Sequence, residues 1–235
     1  MNKGILIAVA PSITYNFLNL AKLFISRVRI LFNIPICLVS IVDCDLPVDH
    51  KIQIDQNYKN DFRKLITFQG KQIVDFSIKI KLQACLQSPF EQTLWCDLDY
   101  LFLETNIERY FQKPNITFPG KIYWIGDSIN DKDLVFSWIF KFSQNDKPFI
   151  QKVLTDIDQF KFVDRSFYHN LKKYQWDQFD FPIWGSGYKT KFLGIEDNLL
   201  KFKYKEKTLY NYPKDVHVPD KNGLLTANNH CSPST

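Results

Sequence analysis

Two aspartates one residue apart are the strongest chemical signal in this sequence. Asp97 and Asp99 follow the apolar run Thr93–Cys96, which is typical of a buried strand. Burying bare carboxylates is unfavourable, so a strand retains them only where something compensates their charge. A hard divalent cation is the expected compensator, because Mg²⁺ takes one or two protein carboxylates and completes its shell with water and substrate phosphates. The pair therefore predicts a metal–diphosphate site, although Asp-x-Asp also occurs by chance in solvated turns.

The elements before the aspartates predict the fold class. Residues 4–10 and 35–43 are apolar runs typical of strands, and apolar residues at helical spacing lie between them over 17–31. Helical spacing returns over 73–87 and stops at Ser88-Pro89. Near-continuous apolar strands that alternate with helices predict an α/β fold with one mixed, mostly parallel sheet flanked by helices.

Three residues mark the carboxyl ends of these predicted strands. Ala10 ends the first strand, Asp43 the second, and Asp97 the strand that follows the 73–87 helix. Ligands of open α/β sheets bind beyond the carboxyl ends of the strands. We therefore expect these three positions to border one crevice.

The remaining chain carries weaker patterns. Residues 44–72 are polar and predict a loop with one short element, whereas 121–125 predict a strand and 149–162 a helix. Residues 184–188 predict a glycine-rich loop. The alternating lysines of 201–207 indicate a solvated edge strand that resists aggregation, which we favour over a surface for an anionic acceptor.

A histidine and three lysines complete the chemical candidates. His217 lies in a polar, turn-rich stretch, and a neutral imidazole is a good ligand for Mn²⁺, although alone it is typical of a loop histidine. Lys221, four residues later, could meet a phosphate as a point charge. Lys79 and Lys81 lie among apolar residues of the 73–87 helix. An inward-facing lysine there needs an anionic partner, and a stem that reaches to water is the alternative.

Bulk composition excludes several classes of protein. The 235 residues, 45% of them hydrophobic, suit one domain, and a net charge of +5 suits a small anionic substrate but is too weak to indicate nucleic-acid binding. Five cysteines without a C-x-x-C pair fit a reducing compartment. We find no signal peptide, no apolar run of membrane-spanning length and no glycine-rich phosphate-binding motif. These features predict a cytoplasmic protein.

Together these features resemble the GT-A nucleotide-sugar glycosyltransferases, in particular the glycogenin-like and galactosyltransferase-like family 8. The resemblance implies a single GT-A domain over 1–225, with a nucleotide-sugar half at 1–103, an acceptor half at 104–225 and a flexible tail at 226–235. It is carried by Ile5–Ala10, Lys79–Lys81, Leu94–Asp99 and His217–Lys221. The chain departs from the family in its short gap between His217 and Lys221 and in lacking a closing Pro-Trp.

The resemblance also implies the roles of individual residues. Base and ribose contacts pass to Ala8, Ala10 and Asp43. Mn²⁺, or Mg²⁺, would be held by Asp97, Asp99 and His217, with Leu98 between the two carboxylates in the donor site. Lys81 and Lys221 would contact the diphosphate.

The implied reaction is transfer of a sugar from UDP-sugar, or another nucleotide-diphosphate sugar, to a glycan, protein or lipid-linked acceptor that the sequence does not identify. A retaining enzyme needs no dedicated base, whereas an inverting one needs a carboxylate, for which Asp180 and Asp127 are the candidates. Tyr123 and Trp184 could stack on a sugar but are interpreted as core.

Two alternatives remain open. One is a nucleotide-binding protein without catalysis. The other is a phosphohydrolase of the haloacid dehalogenase type, which is disfavoured because Tyr100-Leu101 follows Asp99 and because the motif lies far from the amino terminus.

Overall fold

The computed structural model describes twelve stretches of the chain. They are residues 2–10, 17–54, 64–68, 71–75, 77–102, 105–125, 134–160, 163–186, 190–196, 199–204, 207–211 and 216–217.

The described elements number four α-helices and sixteen strands. The helices are α1 (Phe17–Leu31), α2 (Ser77–Gln87), α3 (Lys147–Asp156) and α4 (Val163–Leu171). The strands are β1 (Lys3–Val9), β2 (Ile36–Ser40), β3 (His50–Gln53), β4 (Lys64–Phe68), β5 (Lys71–Asp75), β6 (Gln92–Cys96), β7 (Tyr100–Leu101), β8 (Ile116–Phe118), β9 (Ile122–Ile125), β10 (Ile139–Ser143), β11 (Trp176–Gln178), β12 (Ile183–Ser186), β13 (Thr190–Glu196), β14 (Leu199–Tyr204), β15 (Lys207–Asn211) and β16 (Val216–His217).

A seven-stranded sheet forms the centre of the molecule, in the order β11-β8-β10-β6-β1-β2-β3. β1 pairs in parallel with β2 and β6, and β2 pairs in parallel with β3. β10 runs antiparallel to both β6 and β8. The predicted mixed, mostly parallel α/β sheet is therefore confirmed.

Alternate residues of β1 face two different helical layers. Ile5 and Ile7 belong to one buried cluster with the apolar face of α1, whereas Leu6 belongs to a second cluster with residues of α2, α3 and α4. Because both faces are covered, β1 and β2 are apolar almost throughout, as parallel strands usually are. This sandwich fixes the carboxyl ends of β1 and β6 at one edge of the sheet.

Within the described residues, three smaller sheets accompany the central one. Their strand orders are β7-β16-β12-β9, β13-β14-β15 and β4-β5. The first of them matters most for function, because β7 begins directly after Asp99 and β16 carries His217.

Several sequence expectations are confirmed and others are wrong. The strands expected near 4–10, 35–43, 93–97 and 121–125 are present, as is the helix at 17–31. The single short element expected in 44–72 is wrong, because β3, β4 and the start of β5 lie there. Ile73 belongs to β5, so the helix begins only at Ser77; the helical spacing runs across part of the β4-β5 hairpin.

Two further expectations are wrong, one because of side-chain packing and the other because of strand pairing. The glycine-rich loop expected at 184–188 is a strand in part, since Gly185 lies within β12. A Cβ at Gly185 would lie 2.9 Å from Trp138 Cη2, so glycine serves close approach of the indole rather than turn formation. The lysine-bearing strand expected at the edge is also wrong, because β14 is hydrogen-bonded on both sides, to β13 and to β15.

Some expectations fall outside the described residues. These are the tail at 226–235, Lys221 and Asp127. Within the described residues, no helix has both the length and the apolar character needed to cross a membrane.

Candidate functional site

The two aspartates lie on a tight turn at the carboxyl end of β6. The backbone N–H of Asp97 donates to the carbonyl of Trp138 at 2.7 Å, and the N–H of Tyr100 donates back to the carbonyl of Asp97 at 3.0 Å. The second of these bonds closes a four-residue turn whose corners are Leu98 and Asp99. Both carboxylates are thereby presented beyond the end of a buried strand, where the sequence predicts a ligand.

A pocket of about 110 Å³ opens at this turn. Six of the predicted donor-site residues line it, together with Phe17, Ile80, Trp95 and Cys96; the six are Ala8, Ala10, Lys81, Asp97, Leu98 and Asp99. Asp99 is only 3% exposed. The end of β1 and the turn after β6 therefore meet at one crevice, as parallel neighbours in a sheet should.

Lys81 projects from α2 into this site and is buried. Its ammonium lies 2.8 Å from Asp97 Oδ1. It also donates to the backbone carbonyl and the hydroxyl of Ser137, at 3.0 and 3.2 Å. Of the two alternatives left by the sequence, the inward-facing lysine with an anionic partner is the one observed. The neighbouring Lys79 instead forms an ion pair with Asp158, 3.2 Å away, whose side chain is exposed.

A second carboxylate, Asp164 in the first turn of α4, stabilises the same lysine indirectly. Asp164 Oδ1 accepts hydrogen bonds from the N–H and the hydroxyl of Ser137. Burial alone would lower the pKa of Lys81, but the charges of Asp97 and Asp164 outweigh burial and raise it. Burial raises the pKa of Asp164, and Lys81 and Ser137 oppose that rise. Lys81 is therefore held as a cation.

The backbone brings His217 next to the turn. In β16, His217 is the register partner of Tyr100 on one side and of Gly185 on the other. Tyr100 directly follows Asp99, so two segments about 120 residues apart in the sequence meet at this point. The imidazole of His217 lies outside the described part of the structure, and its role as a ligand stays a prediction.

Two predicted site residues lie away from the pocket lining. Asp43 is exposed and forms an ion pair with Lys51 at 3.3 Å. Asp180 is likewise exposed and forms an ion pair with Lys113 at 2.7 Å. Position at a strand end did not suffice for Asp43, because its side chain turns to solvent and to β3. Neither residue is brought together with Asp97, so the ribose role of the one and the base role of the other have no geometric support.

Sequence reasoning missed three members of the site. Ser137 and Asp164 carry no motif, and no spacing links them to Lys81, which lies in a different element. The apolar pattern predicts only a strand position for Trp95, yet its indole N–H donates to Asp97 Oδ1 at 2.9 Å. Residues i and i+2 of a strand lie on the same side, so the spacing of Trp95 and Asp97 is a signal that could have found this contact.

The residues present fit a divalent cation. Among the described residues, the charged side chains lining the pocket are one lysine and two aspartates, which together carry one excess negative charge. Carboxylate oxygens are the ligands that Mg²⁺ and Mn²⁺ prefer. No group of three His, Cys, Asp or Glu side chains within metal-binding reach occurs among those the structure describes, and the role predicted for His217 as a third ligand stays a prediction.

Comparison with solved structures identifies the fold. An active-site mutant of LgtC superposes with a TM-score of 0.54, at 9% identity over 74% of this chain and 72% of that one. The galactosyltransferase LgtC in complex with donor and acceptor sugar analogues gives a TM-score of 0.53, at 10% identity over the same shares. The chain has the GT-A glycosyltransferase fold. No protein-family model and no curated protein sequence matches it.

Proposed function

We propose that this protein is a metal-dependent glycosyltransferase that moves a sugar from a nucleotide-diphosphate sugar, UDP-sugar in the first instance, to an acceptor. The observation that supports the proposal best is the meeting of Asp97 and Asp99 with the end of β1 in one pocket. The GT-A fold supports it independently, because the pocket lies at the carboxyl edge of the sheet in which such folds bind their ligands.

In this proposal Asp97, Asp99 and His217 hold Mn²⁺ or Mg²⁺. When bound, the cation stabilises the negative charge that develops on the leaving diphosphate as a Lewis acid. The pocket of about 110 Å³ at the turn is where the cation and the diphosphate would bind. Ala8 and Ala10 border it with methyl groups only, which leaves room for the nucleoside at the end of β1.

Lys81 has two tasks here. Its ammonium offsets the charge of Asp97, with which it is paired. It also adds a fixed positive charge beside the diphosphate, where preorganised charge is most effective. Lys221 would add a second positive charge from the segment after β16. The division into a donor half and an acceptor half, and a cytoplasmic location, belong to the same proposal.

Asp99→Asn tests the proposal and leaves the ion pair of Asp97 with Lys81 in place. Release of UDP from a panel of UDP-sugars is measured with Mn²⁺, with Mg²⁺ and with EDTA. We expect turnover only with metal, and a loss of at least about 100-fold in Asp99→Asn, since each such electrostatic group contributes a few kcal/mol. Asp158→Asn, which alters an exposed ion pair with Lys79, is the matched control. Unchanged turnover in Asp99→Asn rules out the metal site.

A nucleotide-binding protein without catalysis is the second candidate, because the pocket geometry supports binding as well as transfer. Calorimetric titration with UDP and Mn²⁺, followed by assay of the same sample for released sugar, separates the two. Binding without sugar release from any donor would favour the second candidate. The phosphohydrolase alternative has no support from the GT-A fold.

A further inference from the structure

Trp95 makes a contact with the metal-site aspartate that the proposed reaction does not use. Its indole Nε1–H donates to Asp97 Oδ1 at 2.9 Å. The ammonium of Lys81 lies 2.8 Å from the same oxygen and 5.4 Å from the centroid of the Trp95 ring. Each of these three side chains therefore touches the other two.

The indole itself is firmly held. Trp95 is 3% exposed and stacks on Phe140, with ring centroids 6.4 Å apart and planes at 29°. The two residues are also register partners across β6 and β10. Phe140 is fully buried and packs in turn against Phe118 and Phe167. A donor fixed in this way has one direction in which it can hydrogen-bond, so it constrains the rotation of the carboxylate that accepts from it.

Both donors described at the Asp97 carboxylate meet Oδ1. An oxygen that accepts from an ammonium and an indole has little capacity left for a cation, which leaves Oδ2 as the oxygen that Asp97 can offer to the pocket. Ligating carboxylates are commonly oriented by such hydrogen bonds, and loss of one typically costs 10–100-fold in metal affinity.

We propose that Trp95 is a positioning residue, whose indole N–H fixes the Asp97 carboxylate so that it offers a single oxygen to the cation of the donor site. This inference rests on the proposed function, because it assigns Trp95 a role toward the metal of that site. Lys81 supplies a positive charge at Asp97 Oδ1, and Trp95 fixes the orientation of the carboxylate.

The test compares Trp95→Phe, which keeps a buried aromatic ring and removes the N–H, with Trp176→Phe on β11, whose indole lies 6.2 Å from the Phe118 ring. Mn²⁺ affinity in the presence of UDP is measured by the electron paramagnetic resonance signal of unbound Mn²⁺. We expect Trp95→Phe to weaken Mn²⁺ binding about 10-fold, and Trp176→Phe to leave it within about twofold. Turnover of Trp95→Phe should return toward the wild-type value at saturating Mn²⁺.

The outcomes separate the two proposals. If wild-type protein binds no Mn²⁺ with UDP, both fail. If wild-type protein binds it and Trp95→Phe binds it equally well, the positioning role is overturned while the proposed function stands. Should Trp95→Phe fail to fold, Trp95→3-benzothienylalanine replaces it, because sulfur takes the place of the N–H in a two-ring side chain of the same shape. The same 10-fold weakening is expected there, and unchanged affinity overturns the inference.

Discussion

The ammonium of Lys81 and Oδ1 of Asp97 lie 2.8 Å apart at the carboxyl edge of the central sheet, and the lysine side chain is only 9% exposed. An intact ion pair of this kind contributes little to the free energy of unfolding. Removal of one partner is destabilising, because it leaves an uncompensated charge. In this protein the charge left behind would be that of Asp97, with Asp164 nearby through Ser137.

Lys81→Met should therefore destabilise the protein by about 2–4 kcal/mol, somewhat less than for a fully buried pair because water reaches Asp97. Lys79→Met is the matched control, since Lys79 lies on the same helix and its ion pair with Asp158 is exposed. There we expect about 0–1 kcal/mol. Urea unfolding followed by circular dichroism measures both values. Equal losses in the two variants would contradict a structural role specific to Lys81.

Gly185 allows the indoles of Trp138 and Trp124 to approach β12. A Cβ there would lie 2.9 Å from Trp138 Cη2 and 3.0 Å from its Cζ3, so Gly185→Ala should cost about 1–3 kcal/mol by overpacking. Both contact atoms belong to the six-membered ring of the Trp138 indole. Phenylalanine has no second ring at that distance from the backbone. We expect the double variant Gly185→Ala/Trp138→Phe to be destabilised by less than the sum of the two single variants in urea unfolding. If the two losses in unfolding free energy add exactly, the methyl group at position 185 does not clash with the Trp138 ring.

The sequence predicts the strands on which the site is built because burial on both faces leaves a simple pattern. β1 and β6 are largely apolar, and the change to carboxylates at Asp97 marks the end of β6. At Asp43 the same logic did not locate a residue of the pocket lining, because this side chain turns to solvent and Lys51, and its role toward the ribose stays a prediction. A strand end locates an edge of the sheet, but the loop that follows decides where the side chain points.

Contacts between distant elements could not be predicted from the sequence. The sequence left Lys81 with either an anionic partner or a stem that reaches to water. Ser137 and Asp164, which stabilise it, lie on the segment before β10 and on α4, far along the chain. Lys141 is a further case. It is fully buried in β10, and its ammonium donates to the carbonyls of residues 113–115. Local pattern carries no information on such pairings, which depend on tertiary packing.

Asp49 ties the end of α1 to the start of β2 and gives stability a dependence on pH. Its Oδ2 accepts from the N–H of Ile36 at 2.7 Å and from Arg29 Nη2 at 2.6 Å. Partial burial would raise the pKa of Asp49, but these two donors outweigh it and lower the pKa below its ordinary 3.8. The unfolded state therefore binds the proton first as pH falls, so the stabilisation is complete above about pH 4 and is lost as pH falls through the lowered pKa.

The pH dependence predicts a specific difference between variants. Wild type should exceed Asp49→Asn in stability at pH 6, by less than about 1 kcal/mol because solvent screens this half-exposed pair. The difference should close as the pH falls below 3.8. Urea unfolding from pH 3 to 6 measures it, and Asp45→Asn on the same loop controls for the change in net charge. A difference that widens toward low pH would reverse the assigned sign.

His217 decides whether the cation of the proposed site has two protein ligands or three. Its backbone pairs with Tyr100, one residue after Asp99, so a side-chain replacement leaves the β16 main-chain contacts in place. His217→Ala should weaken Mn²⁺ binding in the presence of UDP by at least about 10-fold. Loss of a residue that only hydrogen-bonds to a metal ligand already costs about that much in metal affinity. His169→Ala, at an exposed histidine in the last turn of α4, is the matched control. If the two variants bind Mn²⁺ equally well, Asp97 and Asp99 hold the cation without His217, and the strand pairing of β7 with β16 serves the fold alone.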